Sequence, residues 1–408
     1  MTLDRTADGS STTRGEALHI NIRGLPPQFQ NVQLNGRNIA VNESIENGGK
    51  DGRQFRFDVL PSDVISLVKV VKSPTAKRPE TALSLDYRHP PLDKQLSAGI
   101  RQLEIDIYAD SQGGRFAHPK AMDWVVSAGL PPDAPWDSPA VMAKPGFKVL
   151  HIQDIDYRSN CQPLIACLQI IREWSRAHPK HSPIFILIET KTERPQSDVE
   201  LAEPEPFTPQ TFDALDAEIR SVFPQKAMIT PDQVRGEFPT LQAAIHAGRW
   251  PTLRVARGRV LFLMDQQRMG PVYLEGHPSL RGRIMFTNAH PGDPDAAFVE
   301  QNENDVAAIN ALVRDGYLVR ARTDWETRQS RTNDTGRRNA LLASGAQILS
   351  TDYPISEPAS WTSYSVGFPE NLAARCNPLL APRHCRSDSL DPYKPQVFSA
   401  AEQHTRSR

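Results

Sequence analysis

The 408-residue chain has only four cysteines and almost no net charge: 47 basic residues face 48 acidic ones, leaving −1. Without a basic excess, nucleic acid is not an expected partner, and no polybasic tract marks an anionic membrane. No stretch approaches the ~18 consecutive apolar residues that a membrane-crossing helix needs. A Cys-x2-Cys knuckle is lacking, which argues against structural zinc. No Gly-x-Gly-x-x-Gly follows an apolar run, which weakens a dinucleotide-binding reading. The opening MTLDRTADGSSTTRGEALHINIRG has no apolar core, so a secretory signal is not expected there.

What remains is a globular composition, with 23% charged residues and 35 prolines that stiffen long loops. The cysteines fall as two close pairs, Cys161/Cys167 and Cys376/Cys385. Two local disulfides in an oxidising compartment would account for them, and so would four buried thiols. The chain divides into a polar N-terminal extension (1–60), a main domain (61–386) and a polar, loose tail (387–408). In the extension, residues 1 to about 15 read as disordered, and 16–60 as β-rich hairpins punctuated by Asn-Gly and Gly-Gly.

Eight apolar runs in the main domain read as strands, at 65–71, 100–109, 147–152, 183–191, 258–265, 283–288, 317–323 and 346–351. Helical stretches separate several of them. In one, Leu164, Cys167, Leu168, Ile171 and Trp174 recur at helical spacing. Two others end at Gly316 and Gly345, good stop signals. Repeated strand–helix alternation argues for a parallel sheet. Eight strands argue for an α/β fold of the (β/α)8 TIM-barrel type, with an open doubly wound sheet as the alternative. In such a barrel the chemistry sits at the C-terminal strand ends.

Polar residues gather at those ends. RQLEIDIYAD places Glu104 and Asp106 on one face of a strand, because side chains two apart point the same way. FILIETK repeats the pattern with Glu189 and Lys191, KVLHIQDID supplies His151, and YLVRARTDW supplies Arg320, Arg322 and Asp324. ILSTDYP supplies Asp352 and Tyr353. Three converging carboxylates suit a hard cation such as Ca2+, which takes ~6–8 oxygen ligands. Lys191 and the arginines suit an anionic group such as phosphate. His151 is placed to move a proton. Each has a plainer reading: a salt-bridged strand face, a Glu189–Lys191 pair, a hydrogen-bonded histidine, a structural ion network around Arg320.

Four segments together resemble the calcium-dependent phosphoinositide-specific phospholipase C family, within the phosphatidylinositol-phospholipase-C-like phosphodiesterases. They are LDYRHPPLDKQLSAGIRQLEIDIYAD, the long piece KVLHIQDIDYRSNCQPLIACLQIIREWSRAHPKHSPIFILIETK, YLVRARTDW and GAQILSTDYP, in family order from about Leu85 to Pro354. Residues 1–84 show no counterpart by eye. The resemblance implies a TIM-type barrel that cleaves a phosphodiester by attack of a neighbouring hydroxyl. It implies Ca2+ held by Glu104, Asp106 and Glu189, one catalytic histidine at His151, and Lys191 on the phosphate. It further implies a phosphoinositide or related substrate, peripheral contact with a membrane, a monomer and an extracytoplasmic setting.

The family pattern breaks after the first strand. Relatives carry His-Asn-Ser-Tyr there, the His catalytic and the Asn a metal ligand, whereas register places Ser73 and Pro74 at those positions. Ser has no titrating nitrogen, and Pro has no side-chain oxygen. His89, in YRHPPL, falls at a family position that is not catalytic. Two accounts follow: a catalytically impaired relative that binds Ca2+ and anionic headgroups, or a misread gene start or frame that has replaced the true segment.

Overall fold

The computed structural model describes the backbone of strands at 2–7, 18–23, 29–34, 37–38, 54–59 and 65–69, and residues 84–396 apart from 86, 133–136, 138–139, 196–199 and 326. The first six strands form two small antiparallel sheets. Strand β1 (Thr2–Ala7) pairs with β2 (Leu18–Arg23), which pairs with β5 (Gln54–Val59). Strand β3 (Phe29–Leu34) pairs with β4 (Arg37–Asn38) and, on its other edge, with β6 (Ile65–Lys69). The described strands within 16–60 pair antiparallel, in keeping with a β-rich segment, while Gly48 and Gly49 lie outside the described residues. The expectation of disorder over the first 15 residues meets a strand at 2–7, whose antiparallel partner local composition does not reveal; residues 8–15 lie outside the described residues. The reading of 65–71 as a strand of the main sheet also meets a difference: its described part pairs with β3. Ser73 and Pro74 lie outside the described residues.

The main domain is mixed α/β. Strands β7 (Gln102–Asp110), β9 (Ile184–Thr190), β10 (Val260–Met264) and β11 (Met285–Phe286) run parallel, each bonded to the next. A parallel bridge from Asn288 to Phe298 leads on to β12 (Phe298–Glu300), β13 (Leu318–Arg322) and β14 (Ile348–Ser350), again parallel. All five residues of β10 are buried, as expected of a strand covered on both faces. Strand β8 (Gly146–Val149) departs from the expected parallel pattern. It runs antiparallel to β7, with Ile107 opposite Val149, because the long excursion between the two strands brings the chain back in the opposite sense. Strand β12 was not foreseen, since a three-residue run is too short to stand out by periodicity.

The helix Leu164–Ala177 buries Leu164, Cys167, Leu168, Ile171 and Trp174, the face read from spacing. The helix Val306–Arg314 starts at Asp305, whose side chain accepts from the Ala308 amide at 3.0 Å. It stops at Gly316, whose φ of +96° and whose approach to the Ile245 carbonyl leave no room for a Cβ. One continuous apolar core runs from Leu92 to Ile348 between sheet and helices.

The tail is not loose up to its last described residue. Asp391 accepts from Arg101 Nε at 2.8 Å and from Ser182 Oγ at 2.7 Å, Tyr393 packs edge-on to His178, and the Gln396 amide donates to the Ser97 carbonyl. A polar sequence is compatible with burial when each charge meets a partner. Both cysteine pairs are disulfides, with Cα–Cα distances of 5.3 Å for Cys161–Cys167 and 6.1 Å for Cys376–Cys385.

Candidate active site

Strands β7 and β9 set the site. Their parallel register puts Asp106 beside Glu189, and Glu104 lies two residues before Asp106 on the same face. One carboxylate oxygen from each of Glu104, Asp106 and Glu189 lies within 4.8 Å of the others. Lys191, just past the end of β9, reaches back to this group, with Nζ 3.0 Å from Asp106 Oδ2 and 2.7 Å from Glu189 Oε1. From β13, Arg320 donates to Glu104 Oε2 at 2.9 Å, to Glu300 Oε2 at 3.0 Å and to Ser350 Oγ at 2.9 Å. Three negative charges therefore face the positive charges of Lys191 and Arg320. The donor set is all oxygen and carries an excess of negative charge, which suits a hard divalent cation.

The electrostatics agree. Burial and the neighbouring Glu189 raise the pKa of Asp106, against the pull of Lys191. For Glu189 burial acts in the same sense, but the charge and hydrogen bond of Lys191 overcome it and hold the carboxyl below its usual range. Burial likewise opposes the charge on Lys191, yet Asp106 and Glu189 raise its pKa. At His151 burial disfavours the imidazolium, but the Asp156 carboxylate, 2.9 Å from Nδ1, and the charge of Asp106 outweigh it and raise the pKa.

The three carboxylates and His151 border a cavity of about 980 Å3 between β7 and β14. No described strand fills this gap, and β14 is the last strand bonded in sequence from β13. Glu104, Asp106, His151, Glu189, Arg322 and Asp352 line the cavity. The loop carrying His151 and Asp156 is tied by Cys161–Cys167 to the helix Leu164–Ala177. Replacing both cysteines with Ser is expected to cost about 2 kcal/mol through lost loop-closure entropy. Thermal melting checks this, with Tm lowered by roughly 3 °C for a domain of this size.

The profile of the family described as "Phosphoinositide phospholipase C, Ca2+-dependent" matches residues 63–378. The chain belongs to this family. The match begins within the stretch that showed no counterpart by eye, so the family region takes in β6 and the segment after it. Among solved structures, the calcium-dependent phosphoinositol-specific phospholipase C of a Pseudomonas species (apo form, myoinositol complex) is 17% identical, with a TM-score of 0.40 over 67% of this chain and 86% of that one. A Ca2+-dependent phosphatidylinositol-specific phospholipase C from Streptomyces antibioticus is 19% identical, with a TM-score of 0.40 over 67% and 89%. No curated protein matches the sequence.

The residues singled out at strand ends divide into two groups. Glu104, Asp106, Glu189, Lys191 and His151 come together as described. Arg322 stands beside them, 2.9 Å from Asp352 and stacked on Trp325. Arg320 is 3% exposed and its two terminal nitrogens are taken by Glu104, Glu300 and Ser350, so it spaces Glu104 from Glu300 and has little surface left for a ligand. Asp324 turns away to cap the β14 exit, accepting from the Asp352 amide at 3.0 Å and from Thr351 Oγ1. Tyr353 packs against Trp361 and Tyr364 in a satellite aromatic cluster.

Four contributors escaped the sequence reading. Asp156 was quoted in KVLHIQDID without a role, yet it orients His151. Tyr87 stands 6.3 Å from the His151 ring. Asp265 follows the apolar run of β10 and Glu300 ends β12; burial and neighbouring carboxylates raise the pKa of both. An acid closing an apolar run was the available signal for Asp265. For Glu300 the short strand hid it.

Proposed function

We propose that this chain is a phosphoric diester hydrolase of phospholipase C type that cleaves a phosphoinositide, or a related phosphodiester with a hydroxyl next to the phosphate. The observation that carries the proposal is the convergence of Glu104, Asp106 and Glu189 within 4.8 Å, beside Lys191 and an Asp156-held His151, at one cavity. The parallel strands are read as most of a (β/α)8 barrel, with the site at their C-terminal ends.

Glu104, Asp106 and Glu189 would hold Ca2+, which when bound lowers the cost of ionising the attacking hydroxyl and takes up charge growing on the phosphate. Lys191 and Arg322 provide cationic groups for the phosphate oxygens. His151 carries a proton that Asp156 stabilises, so it is suited to protonate the leaving oxygen. Asp352 fixes the Arg322 guanidinium through one charge-assisted bond. Ile155, Trp325 and Ile355 are exposed apolar side chains on the loop that carries Asp156, the loop that follows β13 and the loop that carries Asp352. They support peripheral contact of a monomer with a lipid surface around the cavity mouth. Two disulfides fit an oxidising, extracytoplasmic setting.

The expected outcome is Ca2+-dependent cleavage of phosphatidylinositol in mixed micelles, with no cleavage of phosphatidylcholine, whose headgroup has no neighbouring hydroxyl. Equal turnover of both lipids would refute attack by that hydroxyl. Ser73 and Pro74 favour a second reading, a protein that binds Ca2+ and headgroup without turnover; Ca2+ binding in the absence of any cleavage would select it.

A further inference from the structure

Cleavage by a neighbouring hydroxyl needs two proton transfers. One proton leaves the attacking oxygen as its bond to phosphorus forms. One is delivered to the leaving oxygen as its bond to phosphorus breaks. His151 can serve only one of these in a given step. Among the described residues, two imidazoles line the cavity: His151 and His89. The Tyr87 ring connects them, 5.4 Å from the His89 ring and 6.3 Å from that of His151.

The backbone that presents His89 is held firmly. Asn160 Nδ2 donates to the carbonyl of His89 at 3.0 Å and to that of Pro90 at 3.1 Å, and Gln95 Nε2 donates to Pro90 at 2.7 Å. Arg88 pairs with Glu357 at 3.6 Å. The charged and titratable groups acting on the His89 imidazole are Glu104 from β7, Asp352 from the loop after β14 and His151 from the loop after β8. Burial is the largest influence and favours the neutral ring, the two carboxylates oppose it, and His151 adds to it; the balance lowers the pKa. The two imidazoles thus border one cavity from different loops, with the Tyr87 ring between them.

We propose that His89 is a catalytic residue of this site, the base that accepts the proton of the attacking hydroxyl while His151 protonates the leaving oxygen. The inference rests on the phosphodiesterase reading above and adds a residue to it. The proton of the attacking hydroxyl passes to the neutral imidazole of His89 as the new O–P bond forms. The old P–O bond breaks, and the leaving oxygen takes the proton of the His151 imidazolium. The site ends with His89 charged and His151 neutral, and exchange with water resets both.

The test uses the full chain with Ca2+ and two substrates: phosphatidylinositol, and its analogue with sulfur as the leaving atom, which departs without needing a proton. His89→Ala and His89→Gln are expected to lose about 100- to 10,000-fold in kcat on phosphatidylinositol. The loss should persist on the sulfur analogue, and the acid limb of the pH profile should disappear. His151→Ala, by contrast, should recover on the analogue. Calorimetric Ca2+ binding by the His89 variants should match the parent chain, which separates loss of chemistry from loss of fold. A His89→Gln variant within about threefold of an active parent, or one rescued by the sulfur leaving group, overturns the inference and leaves the phosphodiesterase reading intact. A parent chain without turnover overturns both.

Discussion

Replacing His151 with Ala is expected to lower kcat/KM on phosphatidylinositol by about 100- to 10,000-fold, the range for loss of a general acid. His151 bonds to Asp156 through Nδ1, and the residue lines the cavity. Its raised pKa keeps it protonated to higher pH than a free imidazole. As the acid it must be protonated, so activity is present below that pKa and lost as pH rises through it. Asp156→Asn removes the main stabiliser of the charged ring, so the alkaline limb should move to lower pH while the protein remains folded. A pH profile of kcat checks both; an unchanged limb in Asp156→Asn would show that the acid lies elsewhere.

The second large effect is expected at the carboxylates. Glu104→Gln keeps the shape of the side chain and removes one of three converging charges. Activity at a fixed, low Ca2+ concentration should fall by at least about 100-fold, since even changes outside the ligand shell cost 10–100-fold in metal affinity. Raising free Ca2+ should restore part of the loss, seen as a shifted midpoint in a Ca2+ titration. Arg320 keeps Glu300 as a partner, so the buried guanidinium is not stranded by this change. A variant with the parental midpoint would mean that Glu104 serves only to pair with Arg320.

How much of this was legible beforehand differs by feature. The carboxylate pair at 104 and 106 was readable because strand periodicity is a local property, and the parallel pairing with β9 then brought Glu189 alongside Asp106. The buried face of Leu164–Ala177 followed from helical spacing for the same reason. Sheet direction was not local. Strand β8 has the apolar look of its neighbours, yet it runs antiparallel to β7, and nothing within GFKV encodes that choice. The role of Arg320 also depended on distance in the chain, because its partners Glu104 and Glu300 come from separate strands. A short motif cannot tell a ligand-binding arginine from one that neutralises carboxylates. His89 is the clearest case. Its sequence position argued against chemistry, whereas the fold lines the same cavity with it and His151.

The central claim is Ca2+-assisted cleavage by an internal hydroxyl, and phosphorus NMR of phosphatidylinositol micelles with the full chain tests it most directly. With Ca2+ present, the lipid phosphodiester signal should give way to that of a cyclic phosphodiester, and chelation should stop the conversion. Conversion that continues under chelation, or that yields only the open phosphomonoester from the first turnover, would contradict the account.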